Sequence, residues 1–207
     1  TMAALSFNGN KVMTTSGGGA LLTDDADRAE HVRYLATQAR QPVLHYEHTD
    51  VGYNYRMSNL LAAIGRAQLA RLPEMLERRR EHRLRYRTVF DGVPGVTFFG
   101  QPDGAEHPIS MGDHDNFWLT SVVIDPSEAG FTRDDVIEAL AADNIEARPL
   151  WKPMHSQPVY QHLEAYVNGN SDRLFATGVS LPSGSALTDE DMDRVVAALH
   201  TVIERSA

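Results

Sequence analysis

The chain has 207 residues, 42% of them hydrophobic and 23% charged, with a formal net charge of −9 and no cysteine. That length suits one good domain or one and a half small ones, and no apolar run approaches the ~20 residues a membrane span requires. The acidic balance argues against a nucleic-acid or anionic-membrane surface, which needs clustered Lys and Arg, and without cysteine there is neither a disulfide framework nor a thiolate metal site.

In chain order, residues 2–7 alternate weakly and predict a strand that ends in the polar, glycine-bearing loop around Lys11. A lysine held between two strands can be desolvated, which frees its amine as a nucleophile; an ordinary exposed loop lysine is the bland alternative. Gly17-Gly18-Gly19 predicts a tight turn into a second short strand at Gly19–Leu22. Asp24 and Asp25 then precede a helix over 26–39, capped by aspartate and ended by Pro42. The loop 41–49 gathers His45, Tyr46 and His48, either as a surface loop or with a substrate role.

From Ser58 the pattern is helical, with Leu60, Leu61, Ile64 and Ala67 on one face. Pro73 cannot donate to the carbonyl of Leu69, which predicts a break or kink there. A second helix follows to Phe90, with Met75, Leu76, Tyr86, Val89 and Phe90 as its buried candidates. The arginines at 78, 79, 80, 83, 85 and 87, interleaved with Glu77 and Glu81, read as a solvated face. Gly92–Gly95 is the expected domain boundary, dividing residues 1–92 from 93–207. Strands are expected at 96–99 and 117–124, with a polar loop over 101–116 between them. Thr132 caps a short helix to Asp143, with Asp134 and Asp135 in its first turn. A short strand at 145–148 leads to a proline- and histidine-bearing region over 149–170, with a helical turn or two near 159–166. A last strand at 179–181 precedes a helix over 188–205, capped by Thr188, whose apolar face is Val195, Val196, Leu199, Val202 and Ile203. No basic region followed by an apolar core opens the chain, so a cytoplasmic protein is expected. The nine histidines show no metal-ligand spacing.

Four ordered blocks carry a resemblance. Ser6-Phe7-Asn8-Gly9-Asn10-Lys11, followed by Thr14-Thr15-Ser16-Gly17-Gly18-Gly19, resembles the Schiff-base segment of the DegT/DnrJ/StrS family of nucleotide-sugar aminotransferases. Gly52-Tyr53-Asn54-Tyr55-Arg56-Met57-Ser58-Asn59, Arg148-Pro149-Leu150-Trp151-Lys152-Pro153-Met154-His155 and Leu181-Pro182-Ser183-Gly184 match the same family. The resemblance implies an α/β fold, the C-terminal portion of a fold type I aminotransferase: a remnant of the large domain, then a small α/β domain. It implies pyridoxal phosphate as cofactor, Lys11 as the catalytic amine, Ser6 on the cofactor phosphate, and Asn54 reaching that phosphate in a neighbouring subunit. It places Arg56, Trp151, Lys152 and His155 at the nucleotide sugar. From the residues alone, Asn54 is equally a turn residue, Arg56 a partner for a carboxylate, and His155 a structural histidine.

Members of the family carry a long segment before the lysine, which supplies the aspartate at the pyridine nitrogen and the side chain stacked on the ring. Lysine rather than histidine at the key position argues for amino transfer over dehydration. The wording of the blocks is similar to members that make 4-amino sugars from UDP-linked 4-keto-6-deoxy sugars with glutamate as donor. Two readings follow. One is an aminotransferase working with a separate polypeptide that carries the N-terminal half. The other is a catalytically silent truncated relative, acting as an assembly or binding module. A homodimer through the helices at 26–39 and 58–90 is expected in both.

Overall fold

The computed structural model describes residues 1–100 and 115–206; of the polar loop expected over 101–116, only Asp115 and Asn116 lie among them. The chain forms two compact units, Thr1–Met75 and the residues from Leu76 on.

The first unit opens on strands β1 (Met2–Ser6) and β2 (Gly19–Thr23), an antiparallel pair with Met2 opposite Thr23 and Ser6 opposite Gly19. Helix α1 (Ala26–Ala36) follows, and Asp25 caps it as its sequence position predicts, accepting a hydrogen bond from Arg28 N at 3.0 Å. The helix stops well before Pro42. Thr37 bridges to Asn54, and Gln38 and Ala39 take left-handed backbone angles, so this pairing rather than the proline ends it.

Helix α2 (Asn59–Val89) continues from the first unit into the second. The break expected at Pro73 is absent: the 31 residues form one helix. Proline removes a single backbone bond, and it is flanked by Leu, Ala, Glu, Met and Arg, which are strong helix formers.

The second unit is built on a four-stranded antiparallel sheet in the order β3 (Val96–Phe99), β4 (Thr120–Ile124), β6 (Gly178–Leu181), β5 (Arg148–Pro149). Val122 faces Phe98 on one side and Val179 on the other. Successive residues point to opposite faces, and one face, with Val122, Ile124, Val179 and Leu181, meets the core. Helix α3 (Pro126–Ala129) is a single turn. Helix α4 (Arg133–Ala142) contributes Val136 and Leu140, helix α6 (Asp189–Ser206) contributes Met192, Val195, Leu199 and Val202, and the end of α2 contributes Tyr86, Val89 and Phe90. Those α2 residues explain why the second unit starts at Leu76, ahead of the Gly92–Gly95 turn. The expected caps are present: Thr132 N donates to Asp135 at 2.7 Å while Asp135 N donates to Thr132 Oγ1 at 3.1 Å, and Thr188 with Asp191 repeats the arrangement. The hydrogen bonds from Thr132 hold the Asp135 carboxyl below its ordinary value.

Two features were not expected. The strand anticipated at 145–148 is two residues long at Arg148–Pro149, and the helical turns anticipated near 159–166 are confined to hydrogen-bonded turns over 157–163, with Gln161 N donating to Gln157 O at 2.9 Å, and do not extend into a helix. Instead a short 3-10 turn forms at Met154–Ser156, and helix α5 (Asn170–Thr177) precedes β6. A Cβ at Gly178 would lie 2.3 Å from Leu150 Cδ1 and 2.7 Å from Leu174 O, so glycine lets α5 and the 150s segment close on the sheet face opposite Val179.

Candidate active site

Lys11 stands in the loop that joins β1 to β2. Phe7 closes that loop from both ends: its N–H donates to Gly18 O at 3.0 Å, and its carbonyl accepts from Thr15 N at 2.9 Å and Thr14 Oγ1 at 3.2 Å. Inside it, Lys11 N donates to Asn8 O at 3.1 Å, and Asn8 N donates to Ser6 Oγ at 3.4 Å. Asn8 therefore connects the backbone of Lys11 with the hydroxyl of Ser6, two residues that the sequence set five positions apart. Lys11 is half-buried and Ser6 exposed.

The loop is fastened beneath by packing. Thr15 is buried at 1% exposure, and a Cβ at Gly65 of α2 would come within 2.7 Å of Thr15 Cγ2. Gly18, at φ +99°, faces Met57 Cε, 2.8 Å from where its own Cβ would stand. Gly65 thus lets Thr15 of the lysine loop approach α2, Gly18 makes room for Met57 just ahead of that helix, and Gly19 lies against Leu5 O of β1.

Asn54 and Arg56 lie in the exposed segment between α1 and α2. Asn54 is held in the bridge to Thr37, flanked by Tyr53 N to Leu35 O at 2.7 Å and Tyr55 N to Ala36 O at 3.0 Å. Gly52 is obligatory there, since a Cβ would sit 2.3 Å from Ala39 N. The rings of Tyr53 and Tyr55 stack at 5.0 Å. Of the clustered residues in the 41–49 loop, His48 Nδ1 contacts Gln38 O at 2.8 Å and His45 pairs with Glu47 at 3.2 Å, while Arg40 lies over the Tyr46 ring.

The second unit carries the other three predicted residues. Trp151 is 67% exposed, with its ring 5.8 Å from that of Trp118. Lys152 is exposed beside it. His155 is turned to a structural partner: its Nε2 lies 3.0 Å from both oxygens of Asp172. Neither Trp118 nor Asp172 was singled out from the sequence, because their pairing partners are far along the chain and no local spacing marks them.

The arginines of α2 correct the sequence reading most. Arg78, Arg80 and Arg85 do pair with carboxylates toward solvent, but Arg79 and Arg83 are buried, with Arg83 at 1% exposure. Arg79 Nη1 donates to Trp118 O at 2.7 Å and to Ser183 O at 2.8 Å. His82 beside them is wholly buried, and burial, then the neighbouring Arg78, push its imidazole below its ordinary value. Charged residues were placed outside by pattern alone; the carbonyls of Trp118 and Ser183, beside β4 and β6, supply the reason for the burial of Arg79, and Arg83 lies 3.7 Å from the Asp115 carboxylate.

Fold and lysine loop together define half of a sugar-aminotransferase architecture. The chain belongs to the DegT/DnrJ/EryC1/StrS aminotransferase family, which it matches over residues 1–200. It is 42% identical over 205 residues to EpsN of Bacillus subtilis, named as a pyridoxal phosphate-dependent aminotransferase, covering 95% of this chain and 50% of that one. It is 38% identical over 201 residues to a GDP-perosamine synthase of Caulobacter vibrioides, covering 97% and 52%. Among solved structures, DesI with its TDP-sugar product superposes with a TM-score of 0.81 at 31% identity, over 99% of this chain and 50% of that one. The chain spans about half the length of the relatives it matches. No helix among the described residues is long and apolar enough to cross a membrane.

The donors of the lysine loop fit one part of pyridoxal phosphate. An amine at Lys11 and a hydroxyl at Ser6, on a loop whose backbone Asn8 ties together, are the group types that suit its carbonyl and phosphate ends. For the pyridine ring the first unit offers less. Two of its carboxylates are committed elsewhere, Asp25 to the cap of α1 and Asp50 to Tyr34 Oη at 2.7 Å.

Proposed function

We propose that this chain is the lysine-bearing half of a pyridoxal phosphate-dependent aminotransferase acting on a nucleotide-linked keto sugar, in 4-amino sugar biosynthesis with glutamate as amino donor. The observation that carries the reading is the lysine loop, in which Asn8 ties the Lys11 turn to the Ser6 hydroxyl. When bound, the cofactor supplies an electron sink for the carbon that loses or gains a proton. Lys11 Nζ carries that proton. Ser6 Oγ binds the phosphate, with Asn54 contributed by a second subunit. Trp151 and Lys152 orient the nucleotide sugar. His155 acts by holding its own segment. Relatives named for GDP- and TDP-linked sugars support a nucleotide-sugar substrate without favouring one nucleotide, UDP included.

The ring-side contacts come from sequence outside these 207 residues, matching the other half of the relatives' length. Association is through α1 and the first half of α2, as a homodimer. Val32, Leu60, Ile64 and Leu69 on these helices are 40–79% exposed, and large apolar patches of this kind mark interaction surfaces.

The test is a titration with pyridoxal phosphate followed by absorbance, on this chain alone and with the complementary half supplied. The expected result is weak binding and no transaminase turnover alone, with a stable absorption band and turnover in the presence of the other half, both lost in Lys11→Ala. Turnover by Lys11→Ala in the completed enzyme, or absence of the band with both halves present, contradicts the reading.

A further inference from the structure

The segment from Leu150 to Ser156 is a short bridge fixed at both ends. At its start, Leu150 N donates to Gly178 O at 3.1 Å, and the Leu150 side chain occupies the space that a Cβ at Gly178 would need. At its end, one carboxylate collects three contacts. Asp172, in the first turn of α5, faces His155 Nε2 at 3.0 Å through each of its oxygens and accepts from Ser156 Oγ at 3.1 Å. A carboxylate only accepts, so His155 Nε2 carries the proton. Between the two anchors, Pro153 is buried while Trp151 and Lys152 are exposed. The indole of Trp151 is steadied on one side by Trp118, tilted at 38° to it.

We infer that Asp172 is a positioning residue: by gripping His155 and Ser156 it fixes the Trp151–Lys152 stretch, and through that stretch the placement of a nucleotide-linked sugar. The identity of the ligand rests on the function proposed above; the grip itself does not. Three contacts on one carboxylate tie the far end of the segment to α5, beyond what its own turn at Met154–Gln157 holds. The rigidity of a binding side chain is what lowers the ordering cost when ligand arrives. The histidine of the Trp-Lys-Pro-Met-His block therefore serves the site from behind, through the helix that follows it.

The chain offers its own reporter, because its two tryptophans are the Trp118–Trp151 pair. The experiment compares tryptophan emission and acrylamide quenching in the wild type, Asp172→Ala, Asp172→Asn and His155→Ala, with far-UV circular dichroism and Tm as controls of folding. Asp172→Ala red-shifts the emission and raises the quenching constant with the circular dichroism unchanged. Asp172→Asn, which keeps one acceptor oxygen, recovers part of the wild-type signal. His155→Ala shifts it in the same direction, and the double variant Asp172→Ala/His155→Ala adds nothing beyond the single ones. In a Trp151→Phe background the response disappears. Unchanged emission in both Asp172 variants, or a shift that survives Trp151→Phe, overturns the inference. A second arm titrates UDP-glucose, GDP-mannose and dTDP-glucose; the sugar that quenches the wild type binds roughly five- to tenfold more weakly to Asp172→Ala. If none of them quenches the wild type while the Asp172→Ala shift stands, the ligand assignment fails and the grip is upheld.

Discussion

The two units of this chain spend their apolar residues differently. The second closes a core on itself, in which Val122, Ile124, Val179 and Leu181 of the sheet lie against Leu140, Met192, Val195 and Leu199 of the helices, none more than 2% exposed. The first buries only Thr15, Ala39, Gly65 and Met75 among its residues, while every position of β1 is exposed. Yet its strands carry Met2, Leu5 and Leu22, and its share of α2 carries Leu60, Ile64 and Leu69, all large and all open. Burial of one such side chain stabilises by about 1.5–3 kcal/mol, and the first unit forgoes it repeatedly. The difference bears on the proposed site: its lysine belongs to the unit written for a surrounding surface, and the self-sufficient unit carries the segment proposed to face the substrate.

Substitutions sharpen that contrast. The largest effect is expected in the closed core, where Leu199→Ala leaves a cavity and lowers unfolding stability by about 2–5 kcal/mol. Denaturant melts read it directly, and a loss below about 1 kcal/mol would show that the core is looser than its burial implies. Arg79→Met comes next. It strands the carbonyls of Trp118 and Ser183 without their donor, at a cost of about 1–3 kcal/mol on the same assay.

His82 gives a signature in pH. Its folded-state imidazole is held below its ordinary value, chiefly by burial. The unfolded chain therefore takes up this proton from about pH 6.5 downward while the folded chain resists it. The contribution is complete above that pH and is lost as pH falls below it. Melts of the wild type and His82→Phe across this window are expected to diverge, with the flatter profile in the variant; parallel profiles would mean the buried imidazole is hydrated after all. The smallest effect is reserved for the open unit. Leu60→Ser with Ile64→Ser should shift stability of the chain alone by no more than about 0.5 kcal/mol per site, while weakening dimerisation measured by light scattering.

What the sequence disclosed follows the same division. Caps are local chemistry, so Thr132, Thr188 and Asp25 were legible, as were the strand pair around Lys11 and the apolar stripe of α6. Helix α5 was not, because Gly169 precedes it without a side-chain cap and its first turn offers polar residues only. The continuity of α2 through Pro73 was also hidden, since proline states what one bond loses and nothing of what its neighbours retain. Arg79 and Arg83 misled for a reason of distance: the groups that satisfy Arg79, Trp118 and Ser183, lie 39 and 104 positions away. In the candidate site, Lys11, Ser6 and Trp151 could be named from motifs, whereas Asn8 and Asp172, which hold them or their segments in place, emerged only from contacts.

The central claim is that Lys11 is the amine of a cofactor site that this chain holds in part. It is tested most directly by borohydride reduction in the presence of pyridoxal phosphate, followed by peptide mass mapping. With the complementary half supplied, the account predicts a pyridoxyl group on Lys11 at near-complete occupancy, with Lys152 unmodified. On the chain alone it predicts sparse labelling spread over both lysines. Full, selective labelling of Lys11 on the chain alone, with turnover, would contradict the account, and so would selective labelling of Lys152 in the completed enzyme.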